Sequence, residues 1–166
     1  MGRTLREMRE AAGLTQFQLA ERAGMVLSAL ARIERGARSP GALTVLALWR
    51  ALGGDCETFL ELHEYFNSRS GRLPVAALRE RVAPEPGMTL RQAREAAGVS
   101  AENLARYLGL RDVGSYWHIE HSGRIPRGAD LLFGLFELYG GTCGVAEWLG
   151  SVFEKRVEER AEVTDE

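Results

Sequence analysis

Apolar residues recur at helical spacing in short runs along the first fifty residues, and capping residues and glycines separate these runs. The stretch Thr4-Leu-Arg-Glu7 has the form of a capping box, in which the threonine and the glutamate satisfy backbone N–H groups at a helix start. Gly13 stands where a glycine ends that helix, and Thr15 is placed to cap the next one. The pattern predicts two short helices, with Gly24 in the tight turn that follows them.

Three more helices are predicted before residue 66. A third helix runs from about Leu27 to Arg35, a fourth follows Pro40, and Gly53-Gly54 ends the fourth. Asp55 then starts a fifth helix. No stretch of the chain alternates apolar and polar residues as a half-buried strand does, so the predicted fold class is all-α.

The same pattern returns 85 residues later. The segment LREMREAAGLTQFQLAERAGM begins at Leu5, and LRQAREAAGVSAENLARYLGL begins at Leu90. With one inserted residue the match continues as RIERGARSP against HIEHSGRIP, and it ends as LGGDCETFLEL against YGGTCGVAEWL. The chain therefore contains two copies of one helical unit of about fifty residues, joined in tandem.

The second copy has its own start signals. Thr89-Leu-Arg-Gln92 repeats the capping box, Ser100 caps the second helix, and Asp112 caps a third helix from about Val113 to His121. A fourth helix follows Pro126 and a fifth starts at Thr142. We expect two domains, residues 1–66 and 88–153. Residues 67–87 form a connector with a short amphipathic helix, VAALRERVA, and a linker, PEPG, and residues 154–166 form an acidic tail that is solvated and frayed.

The composition is that of a soluble globular protein, with 45% hydrophobic and 27% charged residues. There is no apolar run of membrane-spanning length, and the charged start MGRTLREMRE lacks the apolar core of a signal peptide, so we expect a cytoplasmic protein. Residues 1–50 carry eight arginines and four glutamates, a net charge of +4, whereas residues 84–166 carry nine basic and fourteen acidic side chains, a net charge of −5. If the chain binds DNA, the first copy is the electrostatic candidate.

Cys56 and Cys143 are the only two cysteines, which are too few for a disulfide scaffold. A single bridge fits the count, but the interpretation that we favour is two reduced thiols. No nucleophile–base set, glycine-rich phosphate loop or carboxylate pair indicates an enzyme. His118 and His121 lie one turn apart, but a metal site needs three or four converging ligands, so we expect neither a metal nor another cofactor.

The segment LTQFQLAERAG, followed by IERGARSP, resembles the Cro/C1 repressor family, also called the XRE-type helix-turn-helix family. The resemblance covers about fifty residues of the first copy. It implies a lambda-repressor-like fold of five helices, here in tandem, and a DNA-binding transcriptional regulator, more typically a repressor. Double-stranded DNA is the partner that it implies.

The resemblance also implies roles for particular residues. Gln16, beside Thr15 at the start of the second helix, would hydrogen-bond a DNA phosphate and brace the reading helix. The expected DNA contacts comprise these two residues, the major-groove positions of the third helix and the loop after it: Thr15, Gln16, Leu27, Ser28, Ala29, Arg32, Arg35, Arg38 and Ser39. Glu34 would turn inward to Arg9 as a structural ion pair, and Glu120 would pair with Arg94 in the second copy.

The reading face of the first copy is sparse in hydrogen-bonding groups. Base edges are distinguished mainly by bidentate donors and acceptors, and this face offers only Arg32 and Ser28. Leu27 and Ala29 could contact thymine methyl groups. The alternatives are that Val26 and Leu27 belong to the local core, and that Arg32 is solvated or bound to phosphate instead of reading guanine.

The second copy has lost much of this chemistry. Ala101 replaces Gln16, Gly114 replaces Ser28, and Asp112 replaces Val26 with the wrong charge for phosphate. Of Tyr116 and Trp117, one should fill the core and the other could be exposed. The residues left for DNA or partner contacts in this copy are Ser115, Trp117, His118, Arg124 and Arg127.

Two interpretations of the pair of copies follow. They could form a covalent pseudo-dimer that presents two reading helices to major grooves about 34 Å apart. The interpretation that we favour makes the second copy an assembly module, which forms a homodimer or binds a partner protein. A competing class of function is a protein-interaction adaptor, or an antitoxin-like regulator, with weak or no DNA binding.

Overall fold

The computed structural model describes residues 2–69 and 83–164, and every regular element in these ranges is an α-helix. The all-α prediction is confirmed. The chain divides into two compact units, with α1–α5 in the first and α6–α8, α10 and most of α9 in the second. Among the described residues, no helix is both long enough and apolar enough to cross a membrane.

The first unit contains five helices. Their bounds are α1 Leu5–Ala11, α2 Gln16–Arg22, α3 Leu27–Glu34, α4 Ala42–Ala51 and α5 Cys56–Arg69. Thr4 and Thr15 form capping boxes at the starts of α1 and α2, where Glu7 and Gln18 return the second hydrogen bond. The predicted starts of these two helices are confirmed because the capping interactions are local and depend on few residues.

The second unit also contains five helices. Their bounds are α6 Leu90–Ala96, α7 Ala101–Tyr107, α8 Val113–His121, α9 Ala129–Leu138 and α10 Cys143–Thr164. Thr89, Ser100 and Asp112 accept hydrogen bonds from backbone N–H groups as the N-caps of α6, α7 and α8. The order of helices and caps thus parallels that of the first unit.

Each unit closes around apolar side chains contributed by all of its helices. In the first unit, one fully buried residue from each helix illustrates this: Leu5, Leu19, Leu30, Trp49 and Phe59. The Trp49 and Phe59 rings meet edge to face at 5.0 Å. Burying a side chain of this kind stabilises the fold by about 1.5–3 kcal/mol relative to leaving it exposed. The second unit uses Leu90, Leu104, Tyr116, Phe136 and Phe153 in the same way.

The turn between α2 and α3 depends on a glycine. Gly24 has φ +65, a left-handed conformation that other residues rarely adopt, and a Cβ built there would meet nothing within 4 Å. The backbone conformation alone therefore requires glycine. The N–H of Met25 donates to the carbonyl of Ala20 at 2.9 Å across this turn. Gly109 has φ +68 between α7 and α8, so the second unit makes its turn in the same way.

Two expectations differ from the structure. The acidic segment predicted to fray is helical, because α10 continues to Thr164, although its residues 157–163 are exposed. Cys56 and Cys143 are both disulfide-bonded, so the expectation of reduced thiols is wrong. The predicted connector helix, residues 75–83, lies almost wholly outside the described residues.

Candidate nucleic-acid interface

A nearly buried ion pair holds α1 against the end of α3. The Nε of Arg9 donates to Glu34 Oε1 at 2.6 Å, and its Nη2 donates to Oε2 at 3.5 Å. Only 9% of the Arg9 side chain and 4% of the Glu34 side chain are exposed. The Nη1 of Arg9 donates to the carbonyl of Leu14 at 2.8 Å, just before α2. The structure thus brings together the two residues expected to pair, and it links them to the segment that precedes α2.

Gln16 joins this ion pair. Its Nε2 donates to Glu34 Oε2 at 2.6 Å, so the side chain at the start of α2 is fixed by the carboxylate at the end of α3. An amide nitrogen carries two hydrogens, and the second one remains for another acceptor. The resemblance implies that Gln16 binds a phosphate and braces the reading helix, but it does not name Glu34, the last residue of α3, as the partner.

The side chains expected to meet DNA lie on the surface. Arg32, Arg35, Arg38 and Ser39 are exposed, as are Leu27, Ser28 and Thr15, and Ala29 is half-buried. Val26 is 68% exposed and Leu27 is 44% exposed. The alternative that Val26 and Leu27 belong to the local core is therefore wrong.

The start of α3 lacks a capping side chain. Val26 is its N-cap residue and makes no side-chain hydrogen bond, whereas a serine, threonine, aspartate or asparagine there would stabilise the helix by about 1 kcal/mol. In the second unit, Asp112 at the matching position accepts from the N–H of Ser115 at 2.8 Å. At this N-cap position the first unit thus has an exposed apolar residue, Val26, whereas the second unit has Asp112, whose side chain forms the capping hydrogen bond.

Phe17 is an exposed residue that the sequence reasoning missed. It is the second residue of α2 and is 62% exposed. The buried residues of α2 are Leu19 and Ala20; Phe17 lies on the opposite side from Leu19 but only three positions before Ala20, at the edge of the buried face, so the helical period alone does not signal its exposure.

The second unit keeps the ion pair but not the glutamine. Arg94 donates from Nε and Nη2 to the two oxygens of Glu120 at 2.9 and 2.8 Å, and from Nη1 to the carbonyl of Val99 at 2.9 Å. Burial acts to raise the pKa of Glu120, but the hydrogen bond and charge of Arg94 bring it below its usual value. Ala101 stands at the matching position to Gln16, so nothing there can bridge to Glu120 or to a phosphate.

The surface of α8 differs from that of α3. Tyr116 is fully buried, and this burial raises the pKa of its hydroxyl; Trp117 is 49% exposed, as expected for one of the two aromatic residues. The Trp117 ring lies 4.6 Å from the His121 ring and 5.6 Å from the His118 ring, centroid to centroid. The hydroxyl of Ser115 lies 3.2 Å from Asp112 Oδ1 and donates to it. In the part of the chain described, no cluster of three or more metal-ligating side chains includes these histidines.

The loop after α8 is hydrogen-bonded to α10, whose C-terminal part was predicted to fray. Arg124 and Arg127 are exposed there. Arg156 Nη1 of α10 donates to the carbonyl of Arg124 at 2.8 Å, and Arg160 Nη2 donates to the carbonyl of Gly123 at 3.4 Å. Arg156 and Arg160 are four residues apart, which puts both on one helix face, and this spacing is the sequence signal that they could contact the same loop.

Comparison with known proteins assigns a domain family to most of the first unit. Residues 1–62 match the family model described as "Helix-turn-helix domain". No curated protein and no solved structure matches the chain. The matched residues include α1–α4, the ion pair of Arg9 and Glu34, and the exposed start of α3. Residues 1–62 therefore form a helix-turn-helix domain.

Proposed function

We propose that the protein is a cytoplasmic, sequence-specific DNA-binding transcriptional regulator of the Cro/C1 type. Its first unit, residues 1–66, reads DNA through α3 and grips the backbone through the start of α2 and the loop after α3. The family resemblance favours a repressor over an activator. Residues 88–153 are a second, divergent copy of the same domain.

The observation that supports this proposal is a row of polar side chains that runs from the start of α2, along α3, into the loop after α3. Gln16 is held at the start of α2 by Glu34, and Arg32 is exposed on α3. Arg35 and Arg38 are exposed at the end of α3 and in the loop that follows. In helix-turn-helix domains these elements meet the major groove and the flanking phosphates. The net charge of +4 over residues 1–50 supports a polyanionic partner.

The contacts divide into two kinds. Arg35, Arg38, Ser39 and the second N–H of Gln16 bind phosphate and set the register of the domain on the duplex. Arg32, by contrast, can donate two hydrogen bonds to guanine, which gives sequence information. Most of the affinity is electrostatic in this arrangement, so binding weakens steeply as salt is added.

The second unit contributes assembly instead of base reading. Asp112 places a negative charge where the first unit has Val26, and Gly114 offers no side chain at the position of Ser28. Trp117 is the strongest candidate for a contact with a second copy or a partner protein, because it is a large exposed aromatic residue. Dimerisation would also raise the affinity of a weak reader by linkage.

Selection from a random duplex pool tests DNA reading. We expect the full chain to enrich a motif, and Gln16→Ala, Arg32→Ala to abolish the enrichment. Arg22→Ala is the charge-matched control, since Arg22 lies exposed in the last turn of α2, away from its start. Failure of the wild-type chain to retain any duplex at low salt would rule the proposal out.

The second candidate is an adaptor, or an antitoxin-like regulator, that has kept the fold without DNA reading. The exposure of Trp117 favours it. Sedimentation of the full chain and of Trp117→Ala separates the two functions. If this substitution changes the mass of the assembly and no duplex is bound by either protein, the adaptor function replaces DNA reading.

A further inference from the structure

The loop after α8 has kept few of the phosphate-binding groups of its counterpart in the first unit. In the sequence repeat, His121 stands at the position of Arg35 and Ile125 at the position of Ser39. Arg124 is the one arginine of the segment HIEHSGRIP. Within the repeated segment itself, this loop therefore offers a single guanidinium group to an anion.

The helix α10 brings two more arginines to the same part of the loop. Arg156 Nη1 donates to the carbonyl of Arg124 at 2.8 Å, and Arg160 Nη2 donates to the carbonyl of Gly123 at 3.4 Å. A guanidinium has several N–H donors, and a bond to a neutral carbonyl leaves its positive charge in place. The side chain of Arg124 is exposed, so three arginines share this small part of the surface of the second unit.

The positive charge of Arg156 has no counter-charge close by. Its side chain is half-buried, and this burial lowers the pKa of the guanidinium, although an arginine stays charged at neutral pH. In the part of the chain that the structure describes, no carboxylate lies within salt-bridge distance of Arg156, and Glu159, three residues on, lies 4.0 Å from Lys155. Charged groups that are withdrawn from water are normally paired, so a bound anion would supply what the fold does not.

Most of the acidic residues beyond the core part of α10 lie on its other side. Arg156 and Arg160 are four residues apart and share one face of the helix. Glu158 and Glu162 each follow one of these arginines by two positions, which places them about 200° around the helix. The acidic balance of the second half of the chain therefore does not cancel the positive charge beside the loop.

We propose that Arg124, Arg156 and Arg160 form a binding site for a phosphate group on the second unit. A guanidinium group matches the oxygens of a phosphate with paired hydrogen bonds. The backbone of a DNA duplex is the favoured source of the phosphate, because the loop follows α8, the counterpart of the reading helix α3. Free phosphate is the other source of the same chemistry. The DNA source rests on the proposed function, and it gives the second unit a backbone contact without base reading.

The salt dependence of duplex binding by the full chain tests the site. We expect Arg156→Gln to lower the slope of log affinity against log salt by about 0.9, the value for one phosphate contact. A fourfold rise in salt should then weaken the wild type about 3.5-fold more than the variant. Lys155→Gln is the matched control, because it removes the same charge from a side chain of α10 that is 75% exposed, and its slope should equal that of the wild type.

Two further variants separate binding from folding. Arg124→Gln retains the bond from Arg156, which ends on the backbone carbonyl, so it should lose the same slope with an unchanged urea midpoint. It replaces Arg156→Gln in the test if that variant unfolds the second unit. Arg156→Lys keeps the charge but not the planar fork, so it should keep the slope and bind the duplex more weakly.

Inorganic phosphate distinguishes the two sources of the ligand. Urea unfolding of the full chain without DNA is compared in phosphate, in chloride of equal ionic strength, and with a glutamate-rich peptide. A ligand that binds only the folded state raises the midpoint. A midpoint raised by phosphate in the wild type but not in Arg124→Gln, with equal salt slopes for the duplex, identifies free phosphate. A lowered slope in Arg124→Gln and Arg156→Gln identifies the duplex backbone.

The results that overturn the site differ from those that overturn DNA reading. Unchanged slopes, with no difference between wild type and variant in phosphate, overturn the site and leave duplex binding by the first unit intact. An equal loss of slope in Lys155→Gln also overturns it, because the effect would then follow from net charge alone. If no duplex is retained at low salt, DNA reading fails and the site stands or falls with the phosphate comparison. Stabilisation by the glutamate-rich peptide but not by phosphate overturns the site in favour of an acidic protein partner.

Discussion

The substitution Glu34→Gln removes one charge from the ion pair that links α1 and α3 while keeping the shape of the side chain. Glu34 accepts two hydrogen bonds from Arg9 and one from Gln16, and both members of the pair are at least nine-tenths buried. Breaking a buried pair by removing one partner costs about 3–5 kcal/mol, because the remaining charge is left in a poor solvent. We expect about 3 kcal/mol, since Arg9 keeps its bond to the carbonyl of Leu14.

Urea unfolding of the full chain measures this loss. With a slope of about 2 kcal/mol per molar urea, the unfolding midpoint should fall by about 1.5 M. The matched control is Glu10→Gln, in which the same chemical change is made on an exposed pair. Glu10 lies 2.8 Å from Arg6 and 3.9 Å from Arg9 Nη2, but its side chain is 52% exposed and solvent screens both interactions, so the control should change stability by less than about 1 kcal/mol.

A loss below about 1 kcal/mol for Glu34→Gln, or one equal to that of the Glu10 control, would refute the reasoning. The double substitution Arg9→Met, Glu34→Leu adds a second check. Replacing both members by apolar residues removes the stranded charge, so the double variant should be more stable than Glu34→Gln. If it is less stable, the pair contributes through its hydrogen bonds and not through avoidance of an unpaired charge.

Three further predictions follow from the structure. Gly24→Ala should destabilise the first unit by about 1–2 kcal/mol in urea unfolding, because only the left-handed backbone opposes the new methyl group. The pKa of Glu120 is lowered in the fold, so its pair with Arg94 stabilises fully above the ordinary value of 4.5 and is lost as pH falls below it; Glu120→Gln should flatten that part of the stability–pH curve. Arg35→Ala, Arg38→Ala should lower the slope of log affinity against log salt by about 1.8, whereas Gln16→Ala should weaken binding at an unchanged slope, since an amide neutralises no phosphate. An unchanged slope in the arginine variant would place the phosphate grip elsewhere.

Local signals in the sequence predicted the helices well. The caps Thr4, Thr15, Thr89, Ser100 and Asp112 all function as expected, because capping involves residues within three positions of each other. The two ion pairs could also be located, since the family resemblance names the partners. These features depend on short spacings or on a shared pattern, and both can be read from the chain.

Apart from the two ion pairs that the resemblance names, features that depend on side chains reaching between elements could not be predicted. The bond from Gln16 to Glu34 joins the start of one helix to the end of another, and no sequence spacing signals it. The acidic segment after residue 153 was expected to fray, because its composition favours solvation. It is helical because Phe153 is buried at its base and Arg156 and Arg160 donate to carbonyls of the loop after α8.

The two units share the order of their helices and an arginine–glutamate ion pair, but they differ in the side chains on their surfaces. The arginine–glutamate pair is present in both, which indicates that the pair serves the fold and not the reading of DNA. At the matching positions of the sequence repeat, by contrast, Gln16 is replaced by Ala101 and Val26 by Asp112. Because the same arrangement of helices accepts different residues at these positions, folding alone does not determine which side chains the first unit has there. Substitution of the exposed Arg35 and Arg38 should therefore alter DNA binding far more than stability, whereas substitutions at Arg9 and Glu34 should first lower stability.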